Sequence, residues 1–538
     1  MQHESVSISP ESVKTTRTTD LSERLLKNSF WNFAAYAVFA LVAFFSAKLY
    51  IEFLGVRRYG LMVLLTSILA PLGFLNFGLG KATVKYVADS LARNRRDEVE
   101  RYLGNTLFFN IAVGALGGFI MVLLAPWLTK DILKIAVEDQ HLAVTASYWM
   151  AASWALSQIS ATFVAVPTAM QRFNLVSVGS TFFSIGSVVV SIGVLFYGQG
   201  LLAVMQIRFI WEIITILGWT LVTMWLLPGT NLFPAYHREE FRKCWQFGVW
   251  QTVATVGGLL ANQTDRFLLG IFTSTNAVGL FNVPVIVFSG VYSAVAKLAE
   301  ALFPAISDLQ ARDDKSRMTS VLLYSSCLLT LLTVASQSVL FFFAADILHL
   351  YLGADYSAPL ATVLRISALA AVISAPSIVV TQYLLGIGKT KWLATLTIAS
   401  GLVNLFGGII LVPKWGLQGA AWSDLCAIVL TRPFIHYLIW KRELAGQLAF
   451  KTFFSALYGT GAIALPLILL VDVFFQERTH PYELGHLIPL MFGSGALMGA
   501  FCVAVGLSFS LQREMYTKSS RRISEIFMKK FRGSIQTR

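Results

Sequence analysis

The sequence predicts an all-α polytopic membrane protein with about fourteen transmembrane helices. Three observations lead to this fold class. Of the 538 residues, 56% are hydrophobic and only 13% are charged, whereas about 25% of the residues of a soluble domain carry charge. The mean hydropathy is +0.66. Apolar stretches of about 20 residues, long enough to cross a bilayer as helices, recur along the whole chain between short polar breaks.

The apolar stretches separate into about fourteen spans when a window of about 19 residues is used. Two lobes of six spans, 28–228 and 245–440, are predicted, with two further spans within 450–511. A polar N-terminal tail, 1–27, and a basic C-terminal tail, 512–538, flank them. The spans centre, in chain order, on Ala40, Leu69, Gly117, Trp154, Val188, Ile216, Gly258, Gly290, Leu332, Val372, Gly401, Ala427, Ile463 and Leu497.

The positions of the basic residues predict the orientation, because cytoplasmic loops of membrane proteins are enriched in Lys and Arg. With the N terminus in the cytoplasm, the cytoplasmic segments hold about 29 Lys and Arg and the outer segments about 6. An odd number of spans would place the basic tail outside and reduce this asymmetry. Both termini are therefore predicted to be cytoplasmic, with the tail near anionic lipid headgroups.

Several chemical functions are disfavoured by the sequence. The net charge of +13 belongs to loops and tails beside apolar segments, which disfavours nucleic acid as a partner. The cysteines lie far apart without metal-binding spacing, so neither a disulfide framework nor a metal site is predicted. No Ser/His/Asp set, P-loop or nucleotide-binding fingerprint occurs, so the chain is predicted not to be an enzyme and to need no cofactor. These cysteines are Cys244, Cys327, Cys426 and Cys502.

The two lobes are weakly similar in sequence, at a spacing of about 219 residues. Because each repeat holds six spans, an even number, both lobes insert in the same direction. An axis along the membrane normal should therefore relate them, with a cleft between. The matches pair Trp31 with Trp250, Gly60-Leu61 with Gly279-Leu280, Asp89 with Asp308 and Ala92-Arg93 with Ala311-Arg312, and, at slightly shorter spacing, Gly200-Leu201-Leu202-Ala203 with Gly416-Leu417-Gln418-Gly419.

Four stretches resemble the bacterial polysaccharide transporters, the lipid-linked oligosaccharide (O-antigen type) flippases of the MOP superfamily. The resemblance covers roughly residues 25 to 440 and is weaker over the last two spans. Its motifs specify the branch of the superfamily better than the substrate. The stretches are Asn28–Trp31 with Leu54-Gly55, Tyr59-Gly60-Leu61 and Asn76–Lys81; Asp265–Gly270 with Ala277–Phe281; Leu384–Lys389; and Val412–Trp422.

The resemblance implies two six-helix lobes around a central cavity that opens alternately to either side of the bacterial inner membrane. It implies passage of an undecaprenyl-diphosphate-linked oligosaccharide from the cytoplasmic to the outer leaflet. The implied partners are this glycan lipid, membrane lipids, a coupling ion (H⁺ or Na⁺), and polysaccharide polymerase and assembly proteins. The chain departs from the family at Asn76, where an acidic residue is more typical, which weakens a coupling role for that position.

Basic residues within the spans are candidates for binding a diphosphate headgroup, because charges there cost about 2.5–3.5 kcal/mol each to insert. Arg208, Arg266 and Arg365 lie about 10 Å in from the predicted outer ends. Arginine can bind phosphate through two parallel hydrogen bonds. Lys48, near an outer end, and Lys297, nearer the cytoplasm, complete the candidate headgroup site. The alternative for Lys48 is that its side chain extends along the helix to the lipid headgroups.

The acidic residues within the spans have two alternative roles. Glu212 lies four residues from Arg208 and could neutralise it on one helix face. Asp265 could pair with an arginine of another helix or, like Asp424, carry a coupling ion. Towards the cytoplasm, Lys297 and Glu300, together with Lys81 and Lys85, form a candidate inner mouth for the diphosphate. The simpler alternative for that mouth is ordinary enrichment of cytoplasmic ends in basic residues.

Two other functions compete with the flippase. A small-molecule or drug:cation antiporter of the same superfamily should have a less basic cavity with more carboxylates. Seven basic residues against four acidic ones within the predicted spans favour the flippase. A membrane polymerase or ligase would need a large outer loop for its catalytic groups, but every predicted outer loop has about a dozen residues or fewer.

Overall fold

The computed structural model describes residues 10–76, 79–133, 135–300, 302–475 and 484–508. These ranges form α-helices joined by short turns, with a 3-10 segment at Ala70–Asn76 and π-helical segments at Leu128–Ile132 and Trp440–Leu444. They contain no strand, which confirms the all-α fold class. The helices are α1 (Pro10–Leu69), α2 (Leu79–Ala92), α3 (Arg96–Trp127), α4 (Val137–Ala169), α5 (Phe173–Phe196), α6 (Leu201–Leu226), α7 (Arg238–Phe272), α8 (Thr275–Ala299), α9 (Leu302–Ala311), α10 (Lys315–Phe342), α11 (Ala344–Leu352), α12 (Ala354–Gly386), α13 (Thr390–Ile439), α14 (Phe450–Phe475) and α15 (Leu484–Ser508).

Two of these helices each contain two spans. Helix α1 is interrupted at Gly55, where φ is 77° and ψ is 158°, and α13 at Gly416, where φ is 54°. Both glycines adopt a left-handed φ, which costs glycine little. At the second break the chain folds back sharply, since a Cβ atom on Gly419 would lie 2.2 Å from the carbonyl oxygen of Leu411. This confirms the break expected between the eleventh and twelfth spans.

The number of spans agrees with the sequence. Ten helices of the described ranges are long and apolar enough to cross a membrane, judged by length and composition. Counting α1 and α13 twice and adding α7 and α15 gives about fourteen spans. Within the described residues, helix α1 already includes Pro10, so part of the predicted tail 1–27 is helical. The basic tail 512–538 lies outside the described residues.

The internal repeat is visible in the backbone. Asn94 (φ 57°) and Asp313 (φ 52°) have equivalent places in the two lobes, and both are left-handed residues that follow a short helix. Gln171 (φ 56°) and Gly388 (φ 73°) form a second such pair, before α5 and α13. A left-handed residue other than glycine is uncommon. Its recurrence at matching places confirms the two related lobes.

The predicted sequence matches also recur as contacts. Arg93 forms an ion pair with Asp89 in α2 at 3.0 Å, and Arg312 forms one with Asp308 in α9, also at 3.0 Å. Each pair spans one helical turn at the same place in its lobe. The repeat therefore reproduces a local ion pair together with the helix that carries it.

The two lobes touch where equivalent glycines meet. A Cβ atom on Gly60 would lie 1.8 Å from the carbonyl oxygen of Thr275, and one on Gly279 would lie 2.7 Å from that of Val56. Only residues without side chains allow this approach. Residues that are equivalent in two lobes contact each other only near the axis that relates them. We call this contact between Val56, Gly60, Thr275 and Gly279 the outer crossing.

The outer crossing marks the end of the molecule that the basic residues predict to face outward, here named the outer end. One hydrophobic core joins the lobes there; it includes Leu61 and Leu64 of α1 with Leu269 and Phe281 of α7 and α8. At the opposite, inner end the cores are separate. One surrounds Leu79 and Tyr102 of the first lobe, and another surrounds Val379 and Phe453 of the second lobe and α14. Among the described residues the lobes thus share one core at the outer end but have separate cores at the inner end, where the start of α7 packs in that of the first lobe.

Candidate substrate-binding site

Arg208 lies on α6 and faces α1 within the first lobe. Its Nη2 donates to the Tyr50 hydroxyl at 3.1 Å and its Nε to the Ser191 hydroxyl at 3.3 Å. The guanidinium also lies 5.7 Å from the Tyr50 ring centre, within the range of a cation–π interaction. In the described part of the chain Arg208 does not form the ion pair with Glu212 that its spacing allowed. Glu212 instead accepts a hydrogen bond of 2.9 Å from the Ser160 hydroxyl.

Arg266 lies on α7 in the second lobe and donates to side-chain amides. Its Nε and Nη2 reach the Asn282 Oδ1 at 3.2 and 2.9 Å, and its Nη1 reaches the Gln263 Oε1 at 3.0 Å. Amide oxygens accept hydrogen bonds without carrying a full charge, so their bonds to a guanidinium are weaker than those of a phosphate or carboxylate. The Nε and Nη2 edge is the one that commonly binds an oxyanion in a bidentate way.

A continuous set of contacts joins these two arginines across the lobes. The Asn282 amide donates to the Tyr59 hydroxyl at 2.7 Å. The rings of Tyr59 and Tyr50 stack, with centres 6.4 Å apart and an angle of 16° between planes. Arg208 and Arg266 are thus linked through Tyr50, Tyr59 and Asn282, beside the outer crossing. We call these five residues the arginine–tyrosine network.

The other predicted headgroup residues lie in different surroundings. Arg365 on α12 forms an ion pair with Asp472 of α14 at 3.8 Å and donates from Nε to the Phe341 carbonyl oxygen at 3.2 Å. Lys48 on α1 donates to the carbonyl oxygen of Leu350 in α11 at 3.4 Å. Neither contact belongs to the arginine–tyrosine network. The structure brings together two of the three predicted arginines and gives the third an acidic partner.

Asp265 and Asp424, the two acids predicted to bind a coupling ion, lie on α7 and α13. Asp265 accepts a hydrogen bond from the Asn404 amide at 3.2 Å, and the Ser423 hydroxyl donates to Asn404 Oδ1 at 2.7 Å. The carboxyls of Asp265 and Asp424 are near enough to interact electrostatically. The arrangement brings carboxylate, amide and hydroxyl oxygens close together, the kind of oxygen-donor group that suits a hard cation or a proton.

The repeat places opposite charges at equivalent positions. Arg208 follows Gly200 by the same number of residues by which Asp424 follows Gly416, and these two glycines are matched in the repeat. The first lobe therefore presents a cation where the second presents an acid. Related helices carry opposite electrostatic roles in the two lobes.

The predicted inner mouth is divided between the lobes. Lys297 and Glu300 form an ion pair at 2.6 Å at the end of α8. On α2, the Lys85 ammonium lies 5.2 Å from the centre of the Tyr86 ring, and Lys81 is exposed. Glu300 thus neutralises part of the positive charge that the sequence predicted for this mouth. Lys81 and Lys85 stand on the opposite lobe from that ion pair.

Residues without charge complete the site and were missed by a search for ionisable groups. Tyr50, Tyr59 and Asn282 are largely buried and connect the two arginines, and Asn404 links Asp265 to α13. Tyr59 belongs to the motif Tyr59-Gly60-Leu61, but this motif does not identify its hydrogen-bond partner. Asn282 and Asn404 could have been found as polar side chains within apolar spans, which need hydrogen-bond partners there.

Known proteins share this fold and part of this sequence. A family model described as "Polysaccharide biosynthesis protein" matches residues 25–310, and one described as "MatE" matches residues 256–410. The chain is 20% identical over 419 residues to a Shigella flexneri protein named "Putative O-antigen transporter", covering 77% of this chain and 97% of that protein. It is 22% identical over 201 residues to the Haloferax volcanii protein named "Probable low-salt glycan biosynthesis flippase Agl15", covering 37% of this chain and 42% of that one.

Solved structures agree with the fold. The lipid II flippase MurJ in an inward closed conformation superposes with a TM-score of 0.68 at 14% identity, covering 88% of this chain and 98% of that one. An inward-facing multidrug resistance MATE family transporter of the MOP superfamily superposes with a TM-score of 0.66 at 14% identity, covering 78% and 100%. At these identities the likeness concerns the fold alone.

Proposed function

We propose a transport reaction from the premise that this chain belongs to the polysaccharide biosynthesis protein family, whose model matches more than half of its length. Its fold is that of the MOP superfamily. The proposed cargo is an oligosaccharide linked to undecaprenyl diphosphate, and the proposed direction is from the cytoplasmic to the outer leaflet. The name of the Shigella relative, which refers to O-antigen transport, supports a lipid-linked glycan as cargo.

The arginine–tyrosine network is the observation that carries this proposal. It holds one arginine from each lobe where the lobes meet, and the hydrogen bonds that link its five residues join each arginine to a neutral hydroxyl or amide group. A diphosphate is a better acceptor for a guanidinium than either of these groups. A cleft between the lobes would let Arg208 and Arg266 bind the headgroup from two sides while the lipid tail stays in the bilayer.

The contacts between the lobes support transport by alternating access. The shared core and the outer crossing close the outer end, and the separate inner cores leave the inner ends free to stand apart. Lys81, Lys85 and Lys297 would then meet the diphosphate first from the cytoplasm, and the site would face outward after the outer end separates. Both termini lie in the cytoplasm in this proposal, with polysaccharide polymerase and assembly proteins acting on the delivered glycan.

The acids supply a site for a coupling ion in the same proposal. Asp265 and Asp424, with the amide of Asn404 and the hydroxyl of Ser423, would bind Na⁺ or a proton within the second lobe. Glu212 on α6, hydrogen-bonded to Ser160, is a second candidate in the first lobe. Ion binding at α7 and α13 would act on the helix that also carries Arg266, so that the ion and the diphosphate share one moving element.

A drug:cation antiporter is the second candidate function. The match of the MatE family model to residues 256–410 favours it, since this segment contains Asp265 and Asn404. A deletion strain distinguishes the two functions. For the flippase, we expect lipid-linked sugar intermediates to accumulate on the cytoplasmic leaflet and surface polysaccharide to be lost.

The readout is the fraction of lipid-linked sugar that an impermeant glycosidase reaches in intact spheroplasts of the deletion strain. Restoration by the wild-type gene is the control for secondary effects. Normal surface polysaccharide together with altered drug tolerance would refute the flippase and support the antiporter.

A further inference from the structure

Asn282 holds a position that no charge pattern reveals. Its amide oxygen accepts both the Nε and the Nη2 of Arg266, and its amide nitrogen donates to Tyr59. The first contact lies within the second lobe, because α7 and α8 both belong to it. The second contact crosses to the first lobe. The Asn282 side chain therefore connects ligand binding at Arg266 with the contact between the lobes.

The contact that crosses the lobes cannot outlast the separation of the helices that carry it. Tyr59 directly precedes Gly60, and Asn282 lies three residues after Gly279, on the same face of α8. Both glycines form the outer crossing, where the backbones nearly touch. Movement of α1 away from α8 by even a few ångströms would break a hydrogen bond of 2.7 Å.

A phosphate at Arg266 would compete with Asn282 on both sides of its amide. The phosphate oxygens accept the Nε and Nη2 protons more strongly than a neutral amide oxygen does. Once the phosphate is bound, it is also the stronger acceptor for the Asn282 amide protons. The amide nitrogen would then turn from the Tyr59 hydroxyl towards the ligand. The hydrogen bond between the lobes is thereby exchanged for one that holds the ligand.

We propose that Asn282 and Tyr59 are positioning residues that keep Arg266 in place while the outer end is closed, and that a phosphate-bearing lipid headgroup releases the outer end by taking over the Arg266–Asn282 contact. This proposal rests on the proposed function for the identity of the ligand. It adds the residues by which binding of the ligand and opening of the outer end are linked.

Distances between spin labels at the outer ends of the two lobes test this proposal on the full chain in lipid nanodiscs. Val137 and Lys414 are both exposed, lie in different lobes, and can be changed to cysteine after the four native cysteines are replaced by alanine. The probe is undecaprenyl diphosphate, and undecaprenol serves as the uncharged control lipid. We expect only the diphosphate to increase the population with the longer distance.

Tyrosine-to-phenylalanine variants distinguish the hydrogen bond between the lobes from hydrogen bonds within one lobe. Tyr59→Phe removes only the hydroxyl that Asn282 uses, and we expect the open-to-closed ratio without ligand to rise about two- to tenfold, as for one lost hydrogen bond. Tyr292→Phe is the matched control, since its hydroxyl accepts from Ser374 of the same lobe and lies outside the arginine–tyrosine network. This control should leave the distance unchanged.

Asn282→Asp tests the exchange itself. A carboxylate should hold Arg266 by charge-assisted bonds and still accept a hydrogen bond from Tyr59. We expect this variant to stay closed at the outer end and to lose its response to undecaprenyl diphosphate.

Wild-type distances in Tyr59→Phe, with an intact response to the diphosphate, would overturn the positioning role. If Tyr59→Phe opens but the wild-type protein ignores the diphosphate, the ligand exchange and the proposed cargo are overturned.

Discussion

Arg208, Arg266 and Arg365 all lie within predicted spans, but the groups around them differ. Arg208 and Arg266 donate to tyrosine, serine and amide side chains, whereas Arg365 faces the carboxylate of Asp472. A neutral acceptor binds a guanidinium less strongly than an anionic one does, so it is more readily exchanged for an anionic ligand. The first two arginines are therefore better suited to bind an anionic ligand than the third.

Substitution of Arg266 tests this difference at the ligand. Arg266→Ala should lower the affinity for undecaprenyl diphosphate about tenfold to a hundredfold, since a hydrogen bond to a charged group is worth about 1.5–3 kcal/mol. Arg266→Lys keeps the charge without the bidentate geometry, so its affinity should lie between those of the wild-type protein and Arg266→Ala. Binding is measured on the protein in nanodiscs, with thermal unfolding as the control for folding. Unchanged affinity in Arg266→Ala would remove this arginine from the headgroup site.

The ion pair between Arg365 and Asp472 leads to a different expectation. Arg365→Ala should lower the melting temperature, because Asp472 loses its basic neighbour. Adding Asp472→Ala should recover part of the loss, with a coupling of about 1 kcal/mol in the double-mutant cycle. Additive effects of the two changes would show that the pair does not stabilise the fold, and would return Arg365 to the candidate ligand site.

The sequence predicted charged candidates within spans but could not predict their partners. Arg208 and Glu212 have the spacing of a helical pair, yet they bond to Tyr50 and Ser160 on other helices. Local spacing says which residues share a helix face, whereas the partner depends on which helices pack there. Asn282 was missed because neutral side chains carry no charge signal, even though membrane burial makes their hydrogen bonds necessary.

At the scale of elements, the outer crossing depends on two equivalent glycines, one in each repeat. Gly279→Ala should destabilise the closed outer end, because the added Cβ would lie 2.7 Å from the Val56 carbonyl oxygen. Gly290→Ala on the same helix is the matched control, since nothing lies within 4 Å of its added Cβ. Complementation of a deletion strain and the melting temperature are the measurements. Equal complementation and equal melting temperatures of the two variants would mean that the backbones are farther apart at the outer crossing than the structure shows.

Helix α7 belongs to both lobes, which the pattern of spans could not show. Its start packs in the core of the first lobe, where Cys244 lies beside Tyr102 and Leu103. Its end carries Asp265 and Arg266 into the second lobe. The segment before it is held by Asn105, which donates to the His237 carbonyl oxygen at 2.7 Å and accepts from its amide at 2.8 Å. Any movement between the lobes must therefore bend or tilt α7.

The order and type of the elements were largely predictable, because a hydrophobic span is a strong and local signal. The breaks at Gly55 and Gly416 show the limit of this signal. The stretch Pro413–Gly416 is typical of a turn between two spans, and the structure places the break at Gly416. The meeting of Gly60 with Gly279 depends instead on how the two lobes are arranged, which no window along the chain contains.

At the scale of the whole molecule, the lobes are alike in fold but carry opposite charges at the equivalent positions of Arg208 and Asp424. The first holds Arg208, and the second holds Asp265 and Asp424 on the equivalent and neighbouring helices. We expect Asp265→Asn to abolish the dependence of transport on a cation gradient while binding of undecaprenyl diphosphate remains. Transport in proteoliposomes is measured with imposed Na⁺ or proton gradients. Asp308→Asn, which changes an exposed acid of the same lobe outside the proposed ion site, is the control, and unaltered gradient dependence in Asp265→Asn would exclude Asp265 from coupling.

The central claim is that the lobes must separate at the outer crossing for a diphosphate-linked glycan to pass. The most direct measurement locks that crossing with a cleavable cross-linker between Val56→Cys and Thr275→Cys. In proteoliposomes, an impermeant glycosidase then reports how fast the labelled glycan lipid reaches the opposite leaflet. We expect the cross-linked protein to be inactive and cleavage of the linker to restore the rate. Undiminished passage through the locked protein would contradict the account.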